Sequence, residues 1–151
     1  MSATINEKIF AQYYKEFAYD YMFLSGTPNY PIETIYLESP LDIKSNKYIE
    51  EGKKTVTEIV RKINSKTGQE GDILFFVCTV RECNEIALEL EKKLTDCFTM
   101  GLYSSVNSEL EQYISSPEKY KEINSKYKRR IFVSTNVAES SLTIDGIVYV
   151  V

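Results

Sequence analysis

At 151 residues, 43% of them hydrophobic and 26% charged, the chain is long enough for about one domain with a single core and too apolar to be a disordered segment. Its net charge of −4 argues against strong free-standing affinity for phosphate backbones, so any nucleic-acid contact has to come from a local groove. No apolar stretch approaches the roughly 20 residues of a membrane span and no basic-then-apolar leader opens the chain. The expectation is a soluble, intracellular protein, cytoplasmic or nuclear and compatible with a viral source, with no membrane partner.

The absence of histidine excludes imidazole general-base chemistry and His-ligated metal within the chain. Cys78, Cys83 and Cys97 lack the close CxxC pairing of zinc or dithiol sites and read as reduced, mostly core residues. Lysine far outnumbers arginine, and Ile, Asn and Tyr are abundant, a bias that suggests an AT-rich genome.

Taken in order, Ile9, Tyr13 and Glu16 or Phe17 recur at helical spacing and predict a helix over Asn6 to Phe17. Gly26 to Pro31 is a turn-rich connector, and Ile32 to Leu37 reads as a strand. Residues 48 to 64 form an amphipathic helix with Ile49, Val56, Ile59, Val60 and Ile63 on one face. Gly52-Lys53-Lys54-Thr55 within it suggests a phosphate loop, but a Walker A also needs a glycine five residues before the Gly-Lys pair, and position 47 is lysine. Asp72 to Cys78 is a buried strand, followed by a helix over Glu82 to Leu94 with Ile86, Leu90 and Leu94 inward and Glu89, Glu91, Lys92 and Lys93 solvated.

Phe98 to Tyr103 reads as a third parallel strand, Ser108 to Ile114 as a helix with a serine N-cap, and Pro117 to Tyr127 as a charged helix. Lys128-Arg129-Arg130 then leads into the apolar run Ile131 to Val133. A stretch dense in hydroxyl, amide and carboxylate groups separates that run from a second one, Ile147 to Val151. Both runs are continuous rather than alternating, as expected of parallel strands covered on both faces. Polar groups just past the carboxyl end of such a strand stand where open α/β sheets bind ligands.

From Ser134 to Val150 the chain resembles, almost without a break, motif V of superfamily 2 helicases in the form found in DEAH-box RNA helicases. Ser2-Ala3-Thr4 resembles motif III. Gly26 to Pro31 is similar to the Gly-Arg-x-Tyr-Pro linker between the two RecA-like lobes, with Tyr30-Pro31 kept and Thr27 in place of the arginine. Asp72 to Cys78 looks like motif IV, with Cys78 and Thr79 at a turn where the family usually has glycine, and Leu102-Tyr103-Ser104-Ser105 matches the family's Leu-Tyr-Ser-Ser. Where family members typically stack a phenylalanine on the ATP base this chain has Ser115, with Tyr113 nearby, which puts purine selection in doubt.

The resemblance implies an α/β, RecA-like three-layer sandwich with a mainly parallel sheet flanked by helices, incomplete at the C-terminus. Residues 1–30 would close a first lobe with motif III and linker, and 31–151 would form a truncated second lobe. It further implies part of an ATP-dependent RNA helicase that couples ATP hydrolysis to translocation on single-stranded RNA and to duplex unwinding, with DNA left open as a partner. ATP and Mg²⁺ would be bound mostly by the absent first lobe, and a C-terminal region would complete the molecule. ATP binding and coupling would fall to Ser2, Thr4, Ser141, Leu142, Thr143, Asp145 and Gly146. RNA contacts would fall to Cys78, Thr79, Ser104, Ser105, Thr135, Asn136 and Ser140.

The residue types fit those roles. Thr135, Ser140, Ser141 and Thr143 can each donate a hydroxyl hydrogen bond to a phosphate oxygen, although Ser140, Ser141 and Thr143 could equally cap a helix. Asp145, an acceptor, suits a ribose hydroxyl or a water, and Glu139 suits an orienting role. Phosphoryl transfer needs a phosphate cradle, a lysine, a Mg²⁺-holding acid and groups that stabilise the transition state. The chain has no Walker A, no Asp-Glu-Ala-His and no Gln-x-x-Gly-Arg-x-Gly-Arg segment, so the fragment alone is expected to be inactive, with no catalytic or metal residues of its own. Two other classes remain open: a helicase-derived nucleic-acid-binding module without hydrolysis, and an α/β protein-interaction domain.

Overall fold

The computed structural model describes residues 7–15, 30–41, 45–103, 114, 116–123, 125–136 and 144–151. The chain separates into two units, Met1–Ser39 and Pro40–Val151. In the first, helix α1 (Glu7–Tyr14) leaves Ile9, Phe10, Tyr13 and Tyr14 exposed. The strand expected over Ile32 to Leu37 does not form. Among the described residues its imperfect alternation meets no partner strand, and Ile32, Ile35 and Tyr36 each stand more than four-fifths exposed.

The second unit holds a four-stranded, all-parallel sheet in the order β2-β3-β1-β4, built from β1 (Asp72–Phe76), β2 (Cys97–Leu102), β3 (Arg129–Ser134) and β4 (Ile147–Val150). Helices α2 (Lys47–Asn64) and α3 (Val80–Lys93) cover one face. There Val56, Val60, Ile86, Ala87 and Leu90 bury against Ile73, Phe75, Ile131 and Val133. On the other face Leu74, Met100, Leu102 and Phe132 pack with Ile114, and Tyr120 of α4 (Pro117–Ile123) leans on Phe98. This is the flanked parallel sheet of a RecA-like α/β domain.

Every residue of β3 is buried, as its unbroken apolar run predicts. The expectation of burial on both faces fails for β4, where Val148 is 38% and Val150 65% exposed. Among the described residues β4 is an edge strand, with one neighbour, and its side chains alternate between cover and solvent. The Gly52-Lys53-Lys54-Thr55 stretch lies inside α2. A Cβ on Gly52 would overlap the Phe75 ring, so this glycine lets helix and sheet approach. Lys53 is paired with Glu50 (2.7 Å) and Glu89 (2.8 Å).

Candidate functional site

The parallel arrangement sorts the candidate residues to two ends of the sheet. At the carboxyl end three strands are pinned together just beyond their last ladder bonds. The Val77 amide donates to the Ser134 carbonyl (2.8 Å) and the Thr135 amide to the Leu102 carbonyl (3.2 Å). The Ser134 hydroxyl bonds the carbonyls of Leu102 and Thr135, and the Cys83 thiol donates to the Val133 carbonyl. Cys78, Thr79, Thr135 and Asn136 thus issue from adjacent strand ends on a fixed backbone. Thr135 is buried, at 7% exposure, whereas Cys78, Thr79 and Asn136 are exposed.

Thr79 has a second task. It opens α3 with a capping box: its hydroxyl oxygen accepts from the Glu82 amide (3.2 Å) and its own amide donates to Glu82 Oε2 (2.8 Å). Burial alone would raise the Glu82 carboxyl, but the neighbouring Tyr48 hydroxyl and the Thr79 hydrogen bonds outweigh it and hold the group below the usual carboxylate range. The Tyr48 hydroxyl is pushed up in turn, first by burial and then by Cys78 and Glu82. A carboxylate already seated at the start of α3 makes that helix end a poorer phosphate seat than its dipole suggests.

Asp145 and Gly146 lie at the opposite, amino end. The Asp72 amide donates to the Gly146 carbonyl (2.9 Å), and Gly146, at φ 89°, turns the chain into β4 in the left-handed region that favours glycine. Six residues of β3 separate the two ends, on the order of 20 Å at the rise of a strand. The structure therefore groups Cys78, Thr79, Thr135 and Asn136 and sets Asp145 and Gly146 apart from them.

Behind the amino-end turn stands a pair that reading the sequence missed. Arg130 is fully buried. Its backbone amide donates to Asp72 Oδ1 (2.6 Å), Nε to Asp72 Oδ2 (2.8 Å) and Nη2 to the same oxygen (2.7 Å). Nη2 also donates to the Asp145 carbonyl and Nη1 to the Ile114 carbonyl (3.4 Å), while the guanidinium carbon sits 5.1 Å from the Phe132 ring centre. A signal was present: opposite charges open two apolar runs, and the register that pairs Ile73 with Ile131 sets Asp72 beside Arg130. Arg129, on the other face, reaches Asn64 (3.1 Å) and Glu70 (3.4 Å).

Ser2, Thr4, Ser104, Ser105, Ser140, Ser141, Leu142 and Thr143 lie outside the described residues, as do Tyr113, Ser115, Glu139 and most of the helix expected over 108–114. Cys83 and Cys97 are core residues, as expected. Burial raises both thiols, that of Cys97 to about 12, while Cys78 is exposed. Among the described residues no helix is long and apolar enough to cross a membrane.

No protein-family model matches the chain. It is 32% identical over 151 residues, its whole length, to L540 of Acanthamoeba polyphaga mimivirus, whose name provisionally describes an ATP-dependent RNA helicase. It is also 32% identical over 154 residues, 99% of the chain, to the ATP-dependent RNA helicase HrpA of Borreliella burgdorferi. The chain spans 20% and 17% of those two proteins. The crystal structure of the Escherichia coli DEAH/RHA helicase HrpB superposes on 99% of it with a TM-score of 0.68 and 25% identity, over 17% of that chain. Sequence and fold point the same way: the chain is similar over its whole length to segments of ATP-dependent RNA helicases, and its parallel sheet flanked by helices is a RecA-like α/β fold.

Proposed function

We propose that the chain is part of a longer ATP-dependent RNA helicase in which the sheet's carboxyl end holds a single-stranded RNA backbone and the turn at its amino end faces ATP. The observation that carries this reading is the whole-length similarity to ATP-dependent RNA helicases, joined to the polar groups at three adjacent strand ends. The division at about residue 30 into the end of a first lobe and a second lobe belongs to the same proposal.

The described residues do not make an ATP–Mg²⁺ site by themselves. Lys53 is already neutralised inside a helix, and no group of three acidic or sulfur ligands comes together among them. In this reading the phosphates and metal are held by the partner lobe rather than by these residues. Their part is to grip and to orient. The exposed Asn136 amide is a donor suited to phosphate or ribose oxygens, with Cys78 and Thr79 beside it and little base readout. Thr135 lies just behind them, and Ser104, Ser105 and Ser140 extend the same RNA role. Asp145 and Gly146, with Ser2, Thr4, Ser141, Leu142 and Thr143, take the nucleotide side. Because one segment begins at the RNA end and finishes at the nucleotide end, movement at either is felt at the other.

The test is ATP hydrolysis by the full-length protein with and without single-stranded RNA, comparing wild type with Thr135→Ala and Asn136→Ala. RNA should stimulate turnover, and the substitutions should remove most of the stimulation while leaving RNA-free turnover in place. The chain on its own should turn over no ATP. If the full-length protein binds RNA but hydrolyses nothing, it is a helicase-derived binding module instead.

A further inference from the structure

We propose that Arg130 is a positioning residue for the nucleotide side of the helicase: its buried guanidinium holds the main chain at Asp145 and Ile114 in the geometry that ATP requires. This rests on the reading of Asp145 and Gly146 as nucleotide-facing. The Asp145 side chain is exposed while its carbonyl is held from behind by Nη2, so the residue offered to the ligand is anchored through its backbone. The next carbonyl, of Gly146, is held by the Asp72 amide. Nη1 reaches the carbonyl of Ile114, one residue before the position where the family places its base-stacking side chain. One cation thus ties together two segments that come to it from different parts of the chain.

An ion pair alone would not need arginine. The fork matters because Asp72 takes Nε and Nη2 while Nη2 and Nη1 still have protons for the two carbonyls. Lysine keeps the charge beside Asp72 but presents its protons from one nitrogen on a flexible stem, without the planar fork that spans Asp72 and the two carbonyls. Aromatic walls, Phe132 at 5.1 Å and Tyr120 at 5.9 Å from the guanidinium carbon, further define its plane.

The experiment compares Arg130→Lys with Asp72→Asn in the full-length protein. Both weaken the buried pair, but only the first removes the grip on the two carbonyls. Arg130→Lys should raise KM for ATP about tenfold, the loss expected when a charge-assisted contact to a positioning backbone disappears, with kcat within about twofold and RNA affinity unchanged. Hydrogen exchange at the Asp72 amide and across 145–147 should quicken in Arg130→Lys. Asp72→Asn should lower thermal stability at least as much, yet leave KM within about twofold of wild type. Equal KM changes in the two variants, or an unchanged KM and exchange pattern in Arg130→Lys, overturn the inference alone. A wild-type protein that turns over no ATP removes the helicase reading and takes this inference with it.

Discussion

The two ends of one parallel sheet solve opposite problems. At the amino end a full charge is buried among partners: Arg130 meets Asp72, Asp145 and Ile114, and Gly146 is held by Asp72. At the carboxyl end the backbone is pinned just as firmly, but Cys78, Thr79 and Asn136 face solvent. One end is closed around a turn, and the other leaves its polar side chains open to solvent. Stability and binding should therefore separate by end. The sharpest way to break that comparison is Arg130→Met, which strands the Asp72 carboxylate in the interior and should cost about 3–5 kcal/mol of unfolding free energy. Denaturant titration reads this directly; a loss below about 1 kcal/mol would mean that water reaches Asp72 and the end is not closed.

Between the ends, the sheet's height depends on close approach of α2. Gly52→Ala places a methyl group into the ring of Phe75, which is itself 2% exposed and has nowhere to retreat. The expected loss is about 1–3 kcal/mol by overpacking, with no change in RNA affinity. Were the variant as stable as wild type, the helix would be free to slide outward and the glycine would need another account.

The fold was legible where one physical signal dominated. Continuous apolar runs announced β1 and β3, and helical spacing announced α2 and α3, whose bounds the structure moves by one or two residues. Ile32 to Leu37 misled because β-branched and aromatic composition measures fitness for a pleated surface without saying that a neighbour exists. Ile147 to Val151 misled differently: an apolar run reports that a strand forms, but not whether it lies at an edge. The motif residues could be named from the chain, yet their distribution over two ends followed only from the parallel direction of β1, β3 and β4. Arg130 looked like the last of three basic residues leading into a strand, and only the register with β1 gave it a partner.

The carboxyl end has one structural obligation of its own. Thr79→Ala removes the cap of α3 and should lower stability by about 1 kcal/mol, whereas Thr79→Ser should nearly restore it. The same cap predicts a pH dependence. The folded Glu82 carboxyl is held below its ordinary value of about 4.3, so its contribution is present above that pH and is lost as pH falls through the lower folded value. Glu82→Gln should therefore be less stable than wild type at pH 7, and the gap should close on acidification below about pH 4. A gap that widens in acid would show that Glu82 is destabilised, not stabilised, where it sits.

The smallest change in stability is expected from Asn136→Ala, and it separates the two ends most cleanly. The side chain is exposed and carries no cap, so unfolding free energy should stay within about 0.5 kcal/mol of wild type. RNA affinity should nonetheless fall about tenfold, since a neutral donor to a charged oxygen is lost. Because asparagine releases no counterion, the slope of log affinity against log salt should be unchanged, unlike the loss of about one unit of contact expected when a phosphate-bound lysine is removed. Affinity titrations of the full-length protein at three salt concentrations would read both quantities. A parallel downward shift assigns Asn136 to backbone gripping, while a flatter slope would mean that its loss displaces a cation-bearing segment, and that the open end is held together from outside the sheet.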